Sequence, residues 1–257
     1  MSTGLTTNTS TPPDWMKTSS APALGLTVNK PTHLILVQDK RPKDVECPKG
    51  TESGDILTEH GQNLGKTFTC VILGTTDYYI RLSSKKRGDP EDGKLLWKAN
   101  KDEMTAEQRK ETVWQKGPDG KNFRLADYRI DFLCVEVGGA NFSTIDPRGL
   151  GPVVIGAKGM SVNPTEKFIA AINAKEAVGY KALGLVCEFS SKVVSDNAVQ
   201  AWHPKIVGVI GDQATFEKLL TAQTALRGAA AAKAPETVST PDAYATSVKE
   251  TEEDLPF

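Results

Sequence analysis

The 257-residue chain has little of what most enzymes and membrane proteins need. Its three histidines, His33, His60 and His203, show no metal-ligand spacing. Its four cysteines, Cys47, Cys70, Cys134 and Cys187, lie far apart with no C-x-x-C pair, which argues against a zinc site or a disulfide framework. Three of them sit in apolar runs, "FTCVIL", "DFLCVEV" and "GLVCEF", where cysteine acts as a small buried hydrophobe. There is no G-x-S-x-G nucleophile elbow. "GAKGMS" lacks the spacing of a phosphate loop, and its glycines fit tight turns beside a strand. No stretch approaches the ~20 apolar residues that cross a bilayer. "MSTGLTTNTSTPPDW" has neither the basic start nor the apolar run of a secretory leader. These absences set the expectation of a non-catalytic, cytoplasmic protein with no cofactor, no metal and no membrane contact.

What is present is a globular composition with polar additions: 39% hydrophobic and 25% charged residues. The net charge of −1 hides an asymmetry. Residues 235–257 hold six acids, Glu236, Asp242, Glu250, Glu252, Glu253 and Asp254, against one base, Lys249, which leaves 26 acids and 30 bases in residues 1–234. A mildly basic body with an acidic appendage fits a polyanion-binding surface.

Residues 1–30, rich in Ser, Thr and Pro, are expected to be a disordered N-terminal segment. "HLILVQ" reads as a strand. "LGKTFTCVILG" (Leu64–Gly74) and "YYIRLS" (Tyr78–Ser83) read as two strands with a turn at "TTD". Residues 84–127 are polar and punctuated by Gly and Pro, and read as a long insertion with a short helix in "TAEQRKETVW". "YRIDFLCVEVGG", "GPVVIGAKGMSV", "YKALGLVCEFSSKVV" and "WHPKIVGVIG" read as further strands. The spacing of Phe168, Ile169 and Ile172 predicts a helix stopped by Gly179. A second helix over "DQATFEKLLTAQTALRG" is capped by Asp212, and Gln223 interrupts its apolar stripe. A flexible linker (228–248) and an acidic tip (249–257) close the chain. Residues 31–227 thus form a mainly β domain with some α. The order predicts an OB-fold-like five-stranded barrel with a long insertion between strands 2 and 3, a helix between strands 3 and 4, and a C-terminal helix, "GPVVIGAKGMSV" being an extra strand.

Single-stranded nucleic acid is held by cations on its phosphates and by rings on which bases stack. Residues 66–129 carry 14 Lys and Arg against 10 acids, with Tyr78, Tyr79, Trp97, Trp114, Phe123 and Tyr128 among them. Strand alternation puts Tyr78, Ile80 and Leu82 on one face and Tyr79 and Arg81 on the other. Burying the first set points Tyr79 and Arg81 outward, followed directly by Lys85, Lys86 and Arg87. Trp97–Lys98, Trp114, Phe123–Arg124 and Tyr128–Arg129 extend the pattern of ring beside base. "AWHPK" (Trp202, His203, Lys205) is a further candidate, with Trp202 also suited to anchoring a strand.

The last residues, Glu252, Glu253, Asp254, Leu255, Pro256 and Phe257, resemble the C-terminal tip of bacterial and phage single-stranded-DNA-binding proteins. Those end in a flexible linker, an acidic cluster and a short apolar terminus; here Glu replaces some Asp. The resemblance covers six to nine residues and the layout of barrel, linker and tail. It implies a protein, phage-encoded and working in the bacterial host cytoplasm, that binds and protects single-stranded DNA with little sequence preference in replication, recombination and repair. It also implies recruitment of replication and recombination proteins through the tip, with homo-oligomers possible. A terminal Phe fills an apolar pocket while a partner's base clamps its carboxylate, and the acids steer toward basic partners. The competing expectation is an adaptor, recombination mediator or annealing protein that uses the same tail without coating DNA.

Overall fold

The structure is a computed structural model that describes residues 31–38, 47–83, 93–118, 120, 122–194 and 199–232. It is mainly β with a few helices, built on one ten-stranded mixed sheet that does not close into a barrel. The strands are β1 (Thr32–Leu36), β2 (Ile56–Thr58), β3 (Asn63–Gly65), β4 (Thr67–Leu82), β5 (Leu95–Ala99), β6 (Gln115–Lys116), β7 (Asn122–Phe123), β8 (Asp127–Gly138), β9 (Thr144–Ile145), β10 (Pro152–Lys158), β11 (Leu185–Val193) and β12 (Gln200–Val209). The helices are α1 (Ala106–Glu111), α2 (Val162–Ala177) and α3 (Gln213–Ala232). The spatial order is β12-β11-β4-β8-β10-β1-β2-β3, with β5 on β4, β9 on β8, and β6 and β7 forming a separate hairpin. No described helix is long and apolar enough to cross a membrane.

The largest correction concerns β4. Instead of two strands and a turn, Thr67–Leu82 is one continuous 16-residue strand. Thr75 and Thr76 are β-branched and continue a strand readily. What interrupts the ladder is a bulge at Leu73, where the pairing with β8 shifts between Ile72 and Gly74. A bulge leaves a backbone carbonyl without a ladder partner. Here Gln223 of α3 donates its side-chain Nε2–H to the Leu73 carbonyl at 2.7 Å. The polar residue in the apolar stripe of α3 is thus there to satisfy the bulged strand.

With β4 whole, the insertion falls between β4 and β8, the first two long strands of the domain, rather than between strands 2 and 3. The strand at "GPVVIGAK", counted as extra, is β10, a full partner of β8 from Pro152↔Val135 to Lys158↔Arg129. β1 lies parallel to β10, and the other paired strands are antiparallel. α3 extends to Ala232, past Gly228, where the linker was expected to begin. The N-terminal segment 1–30, most of the linker and the acidic tip lie outside the described residues.

Both helices are anchored as their sequences predict. Phe168 and Ile172 of α2 are buried, and Gly179 follows it with φ +95°. Asp212 accepts a hydrogen bond from the Thr215 amide at 2.8 Å, which caps α3 and holds the Asp212 carboxyl below its ordinary range. The core centres on an edge-to-face aromatic cluster: Phe132, Phe168 and Phe189, with ring centroids 5.4–6.0 Å apart, and Trp202 at 6.2 Å from Phe189. Cys70, Cys134 and Cys187 are buried free thiols beside it, and burial pushes Cys70 and Cys187 up in pKa.

The sheet curls until its ends meet through side chains rather than a ladder. Gln38, just past β1, donates to the Gln200 carbonyl and accepts from the Gln200 amide at 3.0 and 2.8 Å. Ser191 of β11 donates to the Gly54 carbonyl at 3.0 Å. Gly54 has φ +82°, and a Cβ there would lie 2.5 Å from the Ser191 Oγ, so glycine is required for this approach.

Candidate nucleic-acid interface

Above the bulge, β4 runs between β5 and β8, and the three strands set the candidate residues in register. Residues directly opposite in an antiparallel pair share a face. On one face Tyr79 stands between Ala99 of β5 and Tyr128 of β8, and Arg81 stands opposite Trp97. The Tyr79 and Tyr128 rings are 5.0 Å apart and tilted by 41°. Four of the expected residues, Tyr79, Arg81, Trp97 and Tyr128, therefore come together, each half-buried.

Lys98 and Arg129 belong to the other face, which corrects the expectation of a single strip. Lys98 pairs with Ile80, and Arg129 with Tyr78. The Lys98 Nζ sits 3.7 Å over the Tyr78 ring, and the Tyr78 hydroxyl donates to Asp131 at 2.8 Å. Burial lowers the pKa of Lys98, with Arg129 adding to the effect and Asp131 opposing it. Tyr78 and Ile80 are buried, as the alternation predicts. On β10, Lys158 lies opposite Arg129 and lengthens this second strip.

The insertion carries the exposed rings. α1 starts with a complete capping box between Thr105 and Gln108, which lets a six-residue helix hold at the surface. The backbone amides of Leu125 and Ala126 donate to the Glu111 carbonyl at 3.1 and 3.0 Å, tying the end of α1 to the start of β8. Between them, Trp114 is 61% exposed and Phe123, in the β6–β7 hairpin, is 39% exposed. The Arg124 guanidinium lies 5.0 Å over the Trp114 ring and its Nε 3.7 Å from Asp127. Leu96 and Val113 are exposed nearby in sequence. Lys85, Lys86 and Arg87, and the tip residues Glu252 to Phe257, lie outside the described residues.

Carboxylates are the part sequence reasoning missed. Tyr128 donates to Asp77 at 3.0 Å; burial first, and then this bond, push its phenol up in pKa. Trp97 donates its indole N–H to Glu111 at 2.7 Å, and the Arg81 Nε lies 3.9 Å from the same carboxylate oxygen. The sequence signal was available: Asp77 precedes the Tyr pair and Glu111 falls inside the short helix expected in "TAEQRKETVW". Nothing in the sequence alone ties either to a ring 51 or 14 residues away.

"AWHPK" divides. Trp202 goes into the core. His203 and Lys205 line an open groove of about 780 Å³ between α2 and the β11–β12 hairpin, together with Lys167, Lys192, Phe168 and Val193. Lys205 pairs with Glu188 at 2.9 Å.

Elsewhere, buried Glu136 meets Arg148 at 2.6 Å, and Arg148 also donates to the Leu64 carbonyl at 3.2 Å. Burial raises the pKa of Glu136, with Arg148 opposing the shift. The pair ties β8 to the short β3 strand, a structural task. Among the described residues no group of three or more His, Cys, Asp or Glu is placed to hold a metal. No family model, no curated protein and no solved structure matches the chain.

Proposed function

We propose that this protein binds single-stranded DNA with little sequence preference and recruits replication and recombination enzymes through its acidic C-terminal tip. The observation that carries the reading is the juxtaposition, on one face of β5–β4–β8, of the Tyr79–Tyr128 ring pair and the Arg81–Trp97 pair. Rings beside a guanidinium offer a stacking surface and a phosphate contact without reading base edges. The exposed Trp114 and Phe123 of the insertion add ring surface along the same path.

The strand connectivity supports an OB-like arrangement. β4, β8 and β10 form an antiparallel meander, α2 follows, β11 returns to the free side of β4, and β12 pairs with β11. In such folds the loops after the first and fourth strands hold oligonucleotides. Those connections are here the insertion and the β11–β12 turn, beside which Lys192 lies. β1, parallel to β10, then stands at the seam where a barrel would close.

The test is a titration of the full chain with oligo-dT at two salt concentrations. Binding that weakens steeply with salt supports the reading. An adaptor or mediator using the same tail would show no salt-sensitive binding. A chain ending at Pro256 should keep or gain DNA affinity and lose binding to replication enzymes; unchanged enzyme binding would defeat the role given to the tip.

A further inference from the structure

Glu111 stands where an anion is wanted. Its carboxylate takes the Trp97 indole N–H at 2.7 Å. It lies 3.9 Å from the Arg81 Nε, too far for a hydrogen bond, and that Nε has no hydrogen-bond partner among the described residues although it is shielded from solvent. Arg81 spends one N–H on the Leu82 carbonyl at 2.8 Å. The guanidinium is therefore charge-paired but poorly bonded. The Arg81 side chain is 15% exposed, whereas that of Glu111 is 33% exposed.

Only the side chain of Glu111 has to move to open this position. Its main-chain carbonyl is held by the Leu125 and Ala126 amides, so α1 can stay in place while the carboxylate rotates outward. A phosphodiester offers two charged non-bridging oxygens that diverge tetrahedrally from phosphorus, so one can take the Arg81 N–H and the other the Trp97 indole N–H at hydrogen-bond distance.

Resting on the DNA-binding reading, we infer that Arg81 and the Trp97 indole N–H form a phosphodiester subsite in which the Glu111 carboxylate is a resident stand-in, displaced when a strand binds. Glu111 then sets affinity: each strand has to expel it, and its charge repels the incoming backbone.

The test is Glu111→Gln in the full chain. The amide oxygen still accepts from Trp97, while the charge facing Arg81 is gone. Oligo-dT affinity should rise by about five-fold at low salt. The slope of log affinity against log salt should not change, because the unmodified chain already seats a phosphate there once Glu111 is displaced; Arg81→Gln should flatten it by about 0.7, one phosphate fewer neutralised on a single strand. In an Arg81→Gln background, where no guanidinium draws a phosphate to this position, the same substitution should relieve only the repulsion and raise affinity by less than about two-fold. A second measurement needs no variant of Glu111. In the ¹⁵N spectrum of the unmodified chain, the Trp97 indole resonance, assigned by its loss in Trp97→Phe, should shift on saturation with oligo-dT. Unmodified protein that binds oligo-dT, with Glu111→Gln matching it in affinity, or with an equal gain in the Arg81→Gln background, or with the Trp97 indole resonance unmoved, would overturn this inference alone. Unmodified protein that binds no oligo-dT at any salt would overturn it together with the reading beneath it.

Discussion

Below the bulge at Leu73, β4 buries Phe68, Cys70, Val71 and Ile72 between β11 and β8. Above it, the same strand leaves Thr75, Thr76 and Asp77 exposed and Tyr79 and Arg81 half-covered. Both halves are paired on two sides, the lower with β11 and β8 and the upper with β8 and β5, so backbone hydrogen bonding is not what separates them. They differ in what their side chains meet. The lower half faces a packed aromatic core; the upper half faces an insertion full of charge. One long strand therefore carries both the stability of the domain and its candidate site, and substitutions in the two halves should separate cleanly.

The largest effect should come from the lower half. Phe68→Ala removes a fully buried ring of β4 that stands opposite Phe189, and should cost about 3–5 kcal/mol in denaturant unfolding. In the upper half, Tyr79→Ala should shift the unfolding midpoint little but weaken oligo-dT binding by about 1–3 kcal/mol. A loss of binding that only tracked a loss of stability would erase the distinction between the halves.

The boundary itself can be broken. Gln223→Leu leaves the Leu73 carbonyl without its donor and should destabilise by about 1–3 kcal/mol, seen as an earlier thermal transition. The smallest effect concerns the helix that delivers Gln223. Asp212→Ala should cost about 1 kcal/mol through loss of the cap. Because the Thr215 amide lowers the folded Asp212 pKa below 3.8, the cap's contribution is complete above that ordinary value. It is lost as pH falls through the lower folded value, so the native chain and the variant should converge in stability in strong acid.

Much of this division was legible in the residues. The alternation of "YYIRL" anticipated the burial of Tyr78 and Ile80, whereas Leu82, past the register shift with β5, is half-buried like Arg81; the apolar spacing of α2, the cap at Asp212 and the short insertion helix all follow from local rules. What the sequence hid was long-range. The bulge at Leu73 looked like the end of a strand because nothing nearby marks its partner, Gln223, 150 residues away. Lys98 and Arg129 read as neighbours of the ring face because adjacency in sequence places ring and base on opposite sides of a strand, not together. Asp77 was invisible as the partner of Tyr128 because its target depends on cross-strand register, which the bulge shifts, and Glu111 as the partner of Trp97 because its reach depends on how the insertion helix sits beside β5.

The most direct test of the central claim, that the upper half of β4 with β5, β8 and the insertion grips unpaired strands, is fluorescence of the four tryptophans during an oligo-dT titration. Trp97 and Trp114 lie in the proposed path and Trp202 in the core. The account predicts quenching at low salt that weakens as salt rises and falls sharply when both Trp97 and Trp114 are replaced by Phe. Absence of quenching at low salt, or quenching unchanged in that double variant, would contradict it.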